Sequence, residues 1–186
     1  MPTLLPPILS TPRLILRPWT VEDVDAAFAI YSQPEVGRYF GTDGHVMTDR
    51  AEAVAMVERR MAIQHPIHAI WAIELRENSQ VVGNASLLEI EGSGSEPLQP
   101  TGEIEVGWAL HPDHWGRGYA TESAAACLRH AARHGVARVL AVTESDNTRS
   151  QAVCQRLGMT HRGISDAYYN RSYELFDITL PDLAGT

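Results

Sequence analysis

Residues 115–121 read WGRGYAT, with Gly116 and Gly118 two apart just before a helical run. A helix N-terminus presents backbone N–H groups without partners and carries positive partial charge, so it attracts anions. Glycine lets the chain turn tightly there and lets a phosphate approach with no Cβ in the way. Arg117, between the two glycines, would add a fixed positive charge. A nucleotide P-loop needs a lysine, and this chain has none: all 15 of its Lys and Arg residues are arginine. A dinucleotide-binding turn needs a third glycine, where Thr121 stands. On the glycine pair alone, a turn that binds no ligand stays open beside a phosphate-binding one.

Other residues could do chemistry. Glu103 and Glu105 share one strand face by the period of two, as acid–base groups or as exposed carboxylates that attract amines. Asn147 and Ser150 suit the start of a helix. His111 and His114 flank a turn, and His130 and His134 are four apart on a helix; without an HExxH pattern, a solvated or structural role is favoured for all four over metal ligation. Cys127 and Cys154 fall in helix-like stretches and form neither a disulfide framework nor a zinc pattern.

The elements that must position these residues follow from periodicity. Residues 13–19 alternate as a strand. Residues 20–33 form a helix beginning near Thr20, with Val24, Ala27, Phe28 and Tyr31 on one face and Pro34 at its end. A second helix covers 48–65. Strands at 68–76 and 81–91 make a hairpin. Residues 92–102, rich in Gly, Ser and Pro, read as a flexible loop. A strand over 103–110 is interrupted by Gly107. Then come a helix at 121–135, a buried strand at 138–144, a helix at 147–158 and a closing strand at 174–180. This order predicts an α/β fold with a mixed sheet.

At 186 residues, with 44% hydrophobic content, one domain over 1–186 is expected. A charged fraction of 20% argues against disorder, and a net charge of −8 against a nucleic-acid partner. The opening stretch 1–14 carries four prolines and no early positive charge, so it makes a poor signal peptide. No stretch approaches the roughly 20 apolar residues of a membrane span. A reducing cytoplasm is the expected location.

The pattern resembles the GNAT superfamily of acyl-CoA N-acyltransferases. Its pyrophosphate loop, Q/R-x-x-G-x-G/A, is matched by Gly118 and Ala120, with Trp115 in the Gln/Arg slot. WGRGYATE is similar to the branch holding the RimJ/RimL-type ribosomal-protein N-terminal acetyltransferases. TPRLILRPWTVEDVDAAF (11–28) is similar to the branch's opening strand and helix. EVGWALHPDHWGRGYATESA (105–124) is similar to its central strand and loop, and NTRSQAVCQRLGM (147–159) to its N-x-x-S…LG-F/M helix. The resemblance runs over residues 11–180.

The resemblance implies a mixed central sheet whose central strands splay apart, flanked by helices, with Gly107 as the bulge or kink that opens the sheet, or else as a packing glycine. It implies acetyl-CoA as cosubstrate and no metal. Trp108, Leu110, Trp115, Gly116, Arg117, Gly118, Tyr119, Ala120, Thr121 and Asn147 would bind acetyl-CoA, with a backbone N–H near Leu110 on the thioester oxygen. Glu105 would be the base that takes the amine proton, with Glu103 as relay and Asp166 as second candidate. Ser150 would protonate the departing thiolate. Many relatives use a tyrosine four residues later, where Cys154 stands here. Tyr168, Tyr169 and Tyr173 would line the acceptor cleft or pair across a hairpin. The acceptor would be a protein N-terminus or a small amine such as a polyamine, amino sugar or amino-acid derivative, and a homodimer is open to the family. The reading from another class is an acyl-CoA-binding sensor without turnover, which the residues at 115 and 154 favour and Glu105 and Ser150 oppose.

Overall fold

The computed structural model describes residues 6–41 and 44–181; the first five residues of the proline-rich opening stretch lie outside them. The strands are β1 (Leu9–Ser10), β2 (Leu14–Pro18), β3 (Ala69–Leu75), β4 (Val81–Gly92), β5 (Gln99–Leu110), β6 (Arg138–Thr143), β7 (Thr160–Tyr168) and β8 (Arg171–Thr179). The helices are α1 (Val24–Tyr31), α2 (Pro34–Gly37), α3 (Arg50–Met61), α4 (Tyr119–Arg133) and α5 (Thr148–Arg156). Eight strands form one mixed sheet in the order β1-β2-β3-β4-β5-β6-β8-β7. Every pairing is antiparallel except β5 with β6.

The two faces of the sheet follow from alternation along the strands. Trp71, Ile73 and Leu75 of β3 join Leu14, Leu16, Leu87 and Val106 in a core covered by α4. Small residues on the buried side of α4 (Ala124, Cys127 and Ala131, none of them exposed) let that helix lie close to the strands. Ala72 and Ile70, from the alternate positions, meet Ile30, Tyr31, Met56 and Val57 of α1 and α3 on the other face.

The sheet opens in one place. β5 and β6 pair only at Ile104↔Val139 and Glu105↔Leu140. β5 nevertheless runs five residues further to Leu110, and β6 three further to Thr143. Their outer edges stay zipped, β5 to β4 from Glu105 to Leu110 and β6 to β8 along its whole length.

The expected bulge at Gly107 is absent. The β4–β5 register passes unbroken from Leu88↔Glu105 to Gly83↔Leu110, and the irregularity lies between Glu89 and Glu91. What Gly107 relieves is a close approach, because a Cβ there would lie 2.7 Å from the Ser86 hydroxyl. The loop expected at 92–102 is half strand: Gly92 pairs with Gln99 and Glu91 with Pro100. The rest is tied down through Asn170, whose side chain receives the Gly94 N–H at 2.8 Å and donates to the Gly94 carbonyl at 3.0 Å. β1, α2 and β7 were not expected. β7 is an edge strand with mostly exposed residues, so it lacks an apolar alternation to betray it.

The start of α1 is pinned to β2 by a partly buried ion cluster. Arg17 donates to Asp23 at 2.7 and 2.9 Å and to Glu74 at 2.6 Å, while the Thr20 N–H reaches Asp23 at 2.8 Å. Burial pushes the Asp23 carboxyl up, but Arg17 and the Thr20 N–H outweigh it and hold it below its ordinary value. Asp23→Asn therefore lowers stability in urea denaturation, by roughly 3 kcal/mol at neutral pH. A lowered folded value stabilises above about pH 4 and stops doing so as pH falls through it. The difference between variant and wild type shrinks on acidification over that range.

Candidate active site

The fork between β5 and β6 is the deep end of a cleft of about 1070 Å³. Of the residues expected to bind acetyl-CoA, all but Arg117 line this cleft, and Glu105 and Ser150 line it too. Arg117 sits exposed between two glycines in the left-handed region, at φ 73° and 80°. Its carbonyl accepts from Arg13 Nη1 at 2.9 Å. The cleft wall takes its cations instead from Arg60 of α3 and from Arg149 and Arg156 of α5. Arg149 stacks 4.5 Å over the Trp115 ring, and the Trp115 indole donates to the Leu110 carbonyl at 2.8 Å. The tryptophan in the Gln/Arg slot thus locks the strand-to-turn corner and carries an arginine.

The glycine turn fits an anion. A Cβ on Gly116 would meet nothing within 4 Å, so the positive φ, not crowding, selects glycine there. Gly118 is the N-cap of α4 and has no side chain to claim the first-turn N–H groups. Beside them the buried Thr121 hydroxyl has no hydrogen-bond partner. The turn is braced from behind by the segment between β1 and β2, which sequence reasoning missed. Arg13 donates to Glu122 at 2.6 Å and stacks 4.8 Å over the Tyr119 ring, and Thr11 donates to Glu122 at 2.6 Å. Burial raises the Glu122 carboxyl, yet these donors win and hold it low, as an anion.

Glu105 stands on the last paired rung before the strands part. Its carboxylate accepts from the Tyr169 hydroxyl at 2.7 Å. Crowding by protein atoms pushes the Glu105 carboxyl up to about 7, against the Tyr169 hydroxyl and the Val142 N–H, which pull it down. Tyr169 reaches it from the β7–β8 turn, where Tyr169 and Asn170 both have positive φ, 56° and 53°, as a two-residue type I′ hairpin requires. A tyrosine in that conformation is strained. Burial and the adjacent Glu105 charge raise its phenol far above the ordinary value, which keeps it a donor.

The other acid–base candidates separate. Glu103 is held by Tyr168 at 2.7 Å and Arg138 at 3.1 Å, outside the cleft wall. Asp166 is exposed, accepts from Ser172, and does not line the cleft. Ser150 lines it from the first turn of α5, its N–H held by Asn147 at 3.2 Å. Cys154 is fully buried in the core, and burial pushes its thiol up to about 12. Tyr169 and Tyr173 line the cleft; Tyr168 does not. Among the described residues no three His, Cys, Asp or Glu side chains are grouped to hold a metal ion. No helix among them is long and apolar enough to cross a membrane.

Residues 13–160 match the family model described as Acetyltransferase (GNAT) domain. The chain is similar to "Uncharacterized N-acetyltransferase YoaA" of Bacillus subtilis, with 29% identity over 92% of this chain and 93% of that protein. Among solved structures, a GNAT-family acetyltransferase from Bacillus anthracis superposes with a TM-score of 0.75 at 20% identity, covering 93% of this chain and 98% of that one. RimL, a ribosomal L7/L12 alpha-N-protein acetyltransferase in complex with coenzyme A, superposes with a TM-score of 0.75 at 19% identity, covering 95% and 99%. At these identities the two structures show the shared fold.

The Tyr169–Glu105 pair gives a prediction independent of any ligand. The phenol hydrogen bond favours the ionised carboxylate. Tyr169→Phe therefore raises the Glu105 pKa further above the value of about 7, as read by carbon NMR titration of the glutamate carboxyls.

Proposed function

The chain belongs to the GNAT acetyltransferase family, and from that premise we propose that it acetylates a primary amine at the expense of acetyl-CoA, with Glu105 as general base. The observation that carries this reading is the position of Glu105. It is a carboxyl with a pKa of about 7 on the last rung of the fork, in the same cleft as an anion-ready glycine turn. Acetyl-CoA supplies the activated acetyl thioester.

The chain's own groups then divide the work. First-turn N–H groups of α4, the Thr121 hydroxyl and Arg149 hold the pyrophosphate and orient it. The β5 edge beyond Glu105, which has lost its β6 partner, offers backbone hydrogen bonds to the pantetheine amides along Trp108–Leu110. A β5 N–H near Leu110 faces the negative charge that develops on the thioester oxygen. Glu105, half ionised near neutral pH, accepts the proton that the amine must lose. Ser150, opening α5 on the opposite wall, returns a proton to the sulfur. Cys154 is the weaker candidate for that role, being enclosed in the core. The RimL likeness supports a peptide N-terminus as acceptor, and the apolar, aromatic end of the cleft at Tyr31, Phe40 and Tyr39 supports a small amine. Two free buried cysteines accord with a reducing cytoplasm.

Three measurements test this. Glu105→Gln lowers kcat by about 10²–10⁴-fold while the coenzyme A dissociation constant stays within error; equal turnover in variant and wild type would remove Glu105 as the base, and coenzyme A binding with no turnover in either would point to the sensor reading. In the wild type the rate rises with pH as Glu105 deprotonates, with a midpoint near 7. Arg13→Gln removes the brace behind the turn and weakens coenzyme A binding about tenfold, the equivalent of one charged hydrogen bond, in calorimetric titration.

A further inference from the structure

The far end of the cleft holds a cation with no counter-ion among the described residues. Arg60, in the last turn of α3, lines the cleft yet is only 6% exposed. Its guanidinium lies 4.8 Å over the Trp19 ring and 5.0 Å over the Tyr31 ring. Nη2 donates to the Tyr31 hydroxyl at 2.8 Å, and that hydroxyl donates to Asn84 Oδ1. Nη1 is buried and has no hydrogen-bond partner among the described residues. No ion pair among the described residues engages Arg60. A buried charge without a counter-ion is costly to keep, so its retention calls for a partner. The aromatic rings offset part of that cost but give Nη1 nothing to donate to.

The place of Arg60 relative to Glu105 sets the dimensions of such a partner. Asn84, joined to Arg60 through Tyr31, stands opposite Ala109, whereas Leu88 stands opposite Glu105. Asn84 and Leu88 are four residues apart on one face, about 14 Å along the strand. Glu105 and Arg60 both line the cleft, and this register sets the span between amine and anion at on the order of 10 Å. A carboxylate brings one negative charge to the one cation at this place, whereas a phosphate monoester would bring two beside Glu35 of the same cleft.

We propose that Arg60 is an anion-binding subsite for the acceptor, and that the acceptor is an extended small amine ending in a carboxylate. This rests on the acetyl-transfer reading above. The carboxylate would take Nη1, with the amine lying at Glu105.

The test compares ω-aminohexanoate and ω-aminooctanoate with their carboxamides as acceptors, under saturating acetyl-CoA. Wild type should favour each carboxylate by about tenfold or more in kcat/KM, the discrimination expected of a charged hydrogen bond. Arg60→Gln should bring that ratio near one, and Arg60→Lys should keep part of it. A wild type that acetylates the carboxamides equally well overturns the subsite and leaves the acetyltransferase reading standing. So does a carboxylate preference that survives in Arg60→Gln, or a defect of that variant confined to coenzyme A affinity. Failure of wild type to acetylate any amine, including peptide N-termini, overturns the function and the subsite together. If Arg60→Gln does not fold, the wild-type ratio and Arg60→Lys decide.

Discussion

The whole site hangs on a two-rung contact between parallel strands. Backbone N–H and C=O groups need partners wherever water is scarce, so a strand that leaves its neighbour exposes an obligation. Here β5 and β6 part after Glu105 and Leu140, while their outer edges remain paired to β4 and β8. Those outer ladders keep the fork from closing. The gap is therefore rigid on both sides, and a ligand with amides along its length can complete the sheet. The glycine turn, Glu105 and Ser150 all take their places from this parting, the turn at the end of one tine and α5 at the end of the other.

The arginines show how an acidic chain spends its positive charge. Arg13 braces the turn through Glu122, Arg17 ties α1 to β2 through Asp23, and Arg138 and Arg162 meet on Asp177. Each is a long planar donor shared among fixed acceptors, which suits guanidinium better than ammonium. Arg60 breaks the pattern, because its surroundings are aromatic and its remaining donor is unclaimed. Glu105 is the mirror case, a carboxyl kept from arginine altogether and held by a phenol and a backbone N–H. Pairing it with a cation would have held it ionised and weakened it as a base at neutral pH.

What could be read in the sequence was local. The glycine turn and the helix that follows it lie in a short motif whose residue types state their own requirements, whereas the roles expected of Glu105 and Ser150 came from the resemblance. The mixed sheet and most strands followed from alternation. The rest depended on contacts remote in the chain. Arg13 looks like any polar position of an alternating strand, and its role appears only when residue 117 folds back onto it. Arg60 sits in a charged helix run that reads as a solvated face. Tyr169 shows its part only through an unusual turn that presents the hydroxyl to another strand. Arg117 attracted attention because it stands between the glycines, but the geometry they impose leaves it in solvent. Gly107 was read as a bulge or kink, or else as a packing glycine, and its neighbour Ser86 leaves no room for a Cβ.

The brace behind the glycine turn also says something about how the molecule comes into being. Arg13 and Glu122 are separated by 109 positions, and Thr11 and Glu122 by 111. Closing so long a segment is slow, since the chain entropy is lost before the contact forms. A chain emerging from the ribosome must have produced α4 before Thr11 and Arg13 can grip it. The helices of the first half can form well before then, but the turn that meets the cosubstrate is set only when the two ends of this long segment meet. Competence to bind is thus a late property of folding, acquired after most of the surrounding scaffold exists.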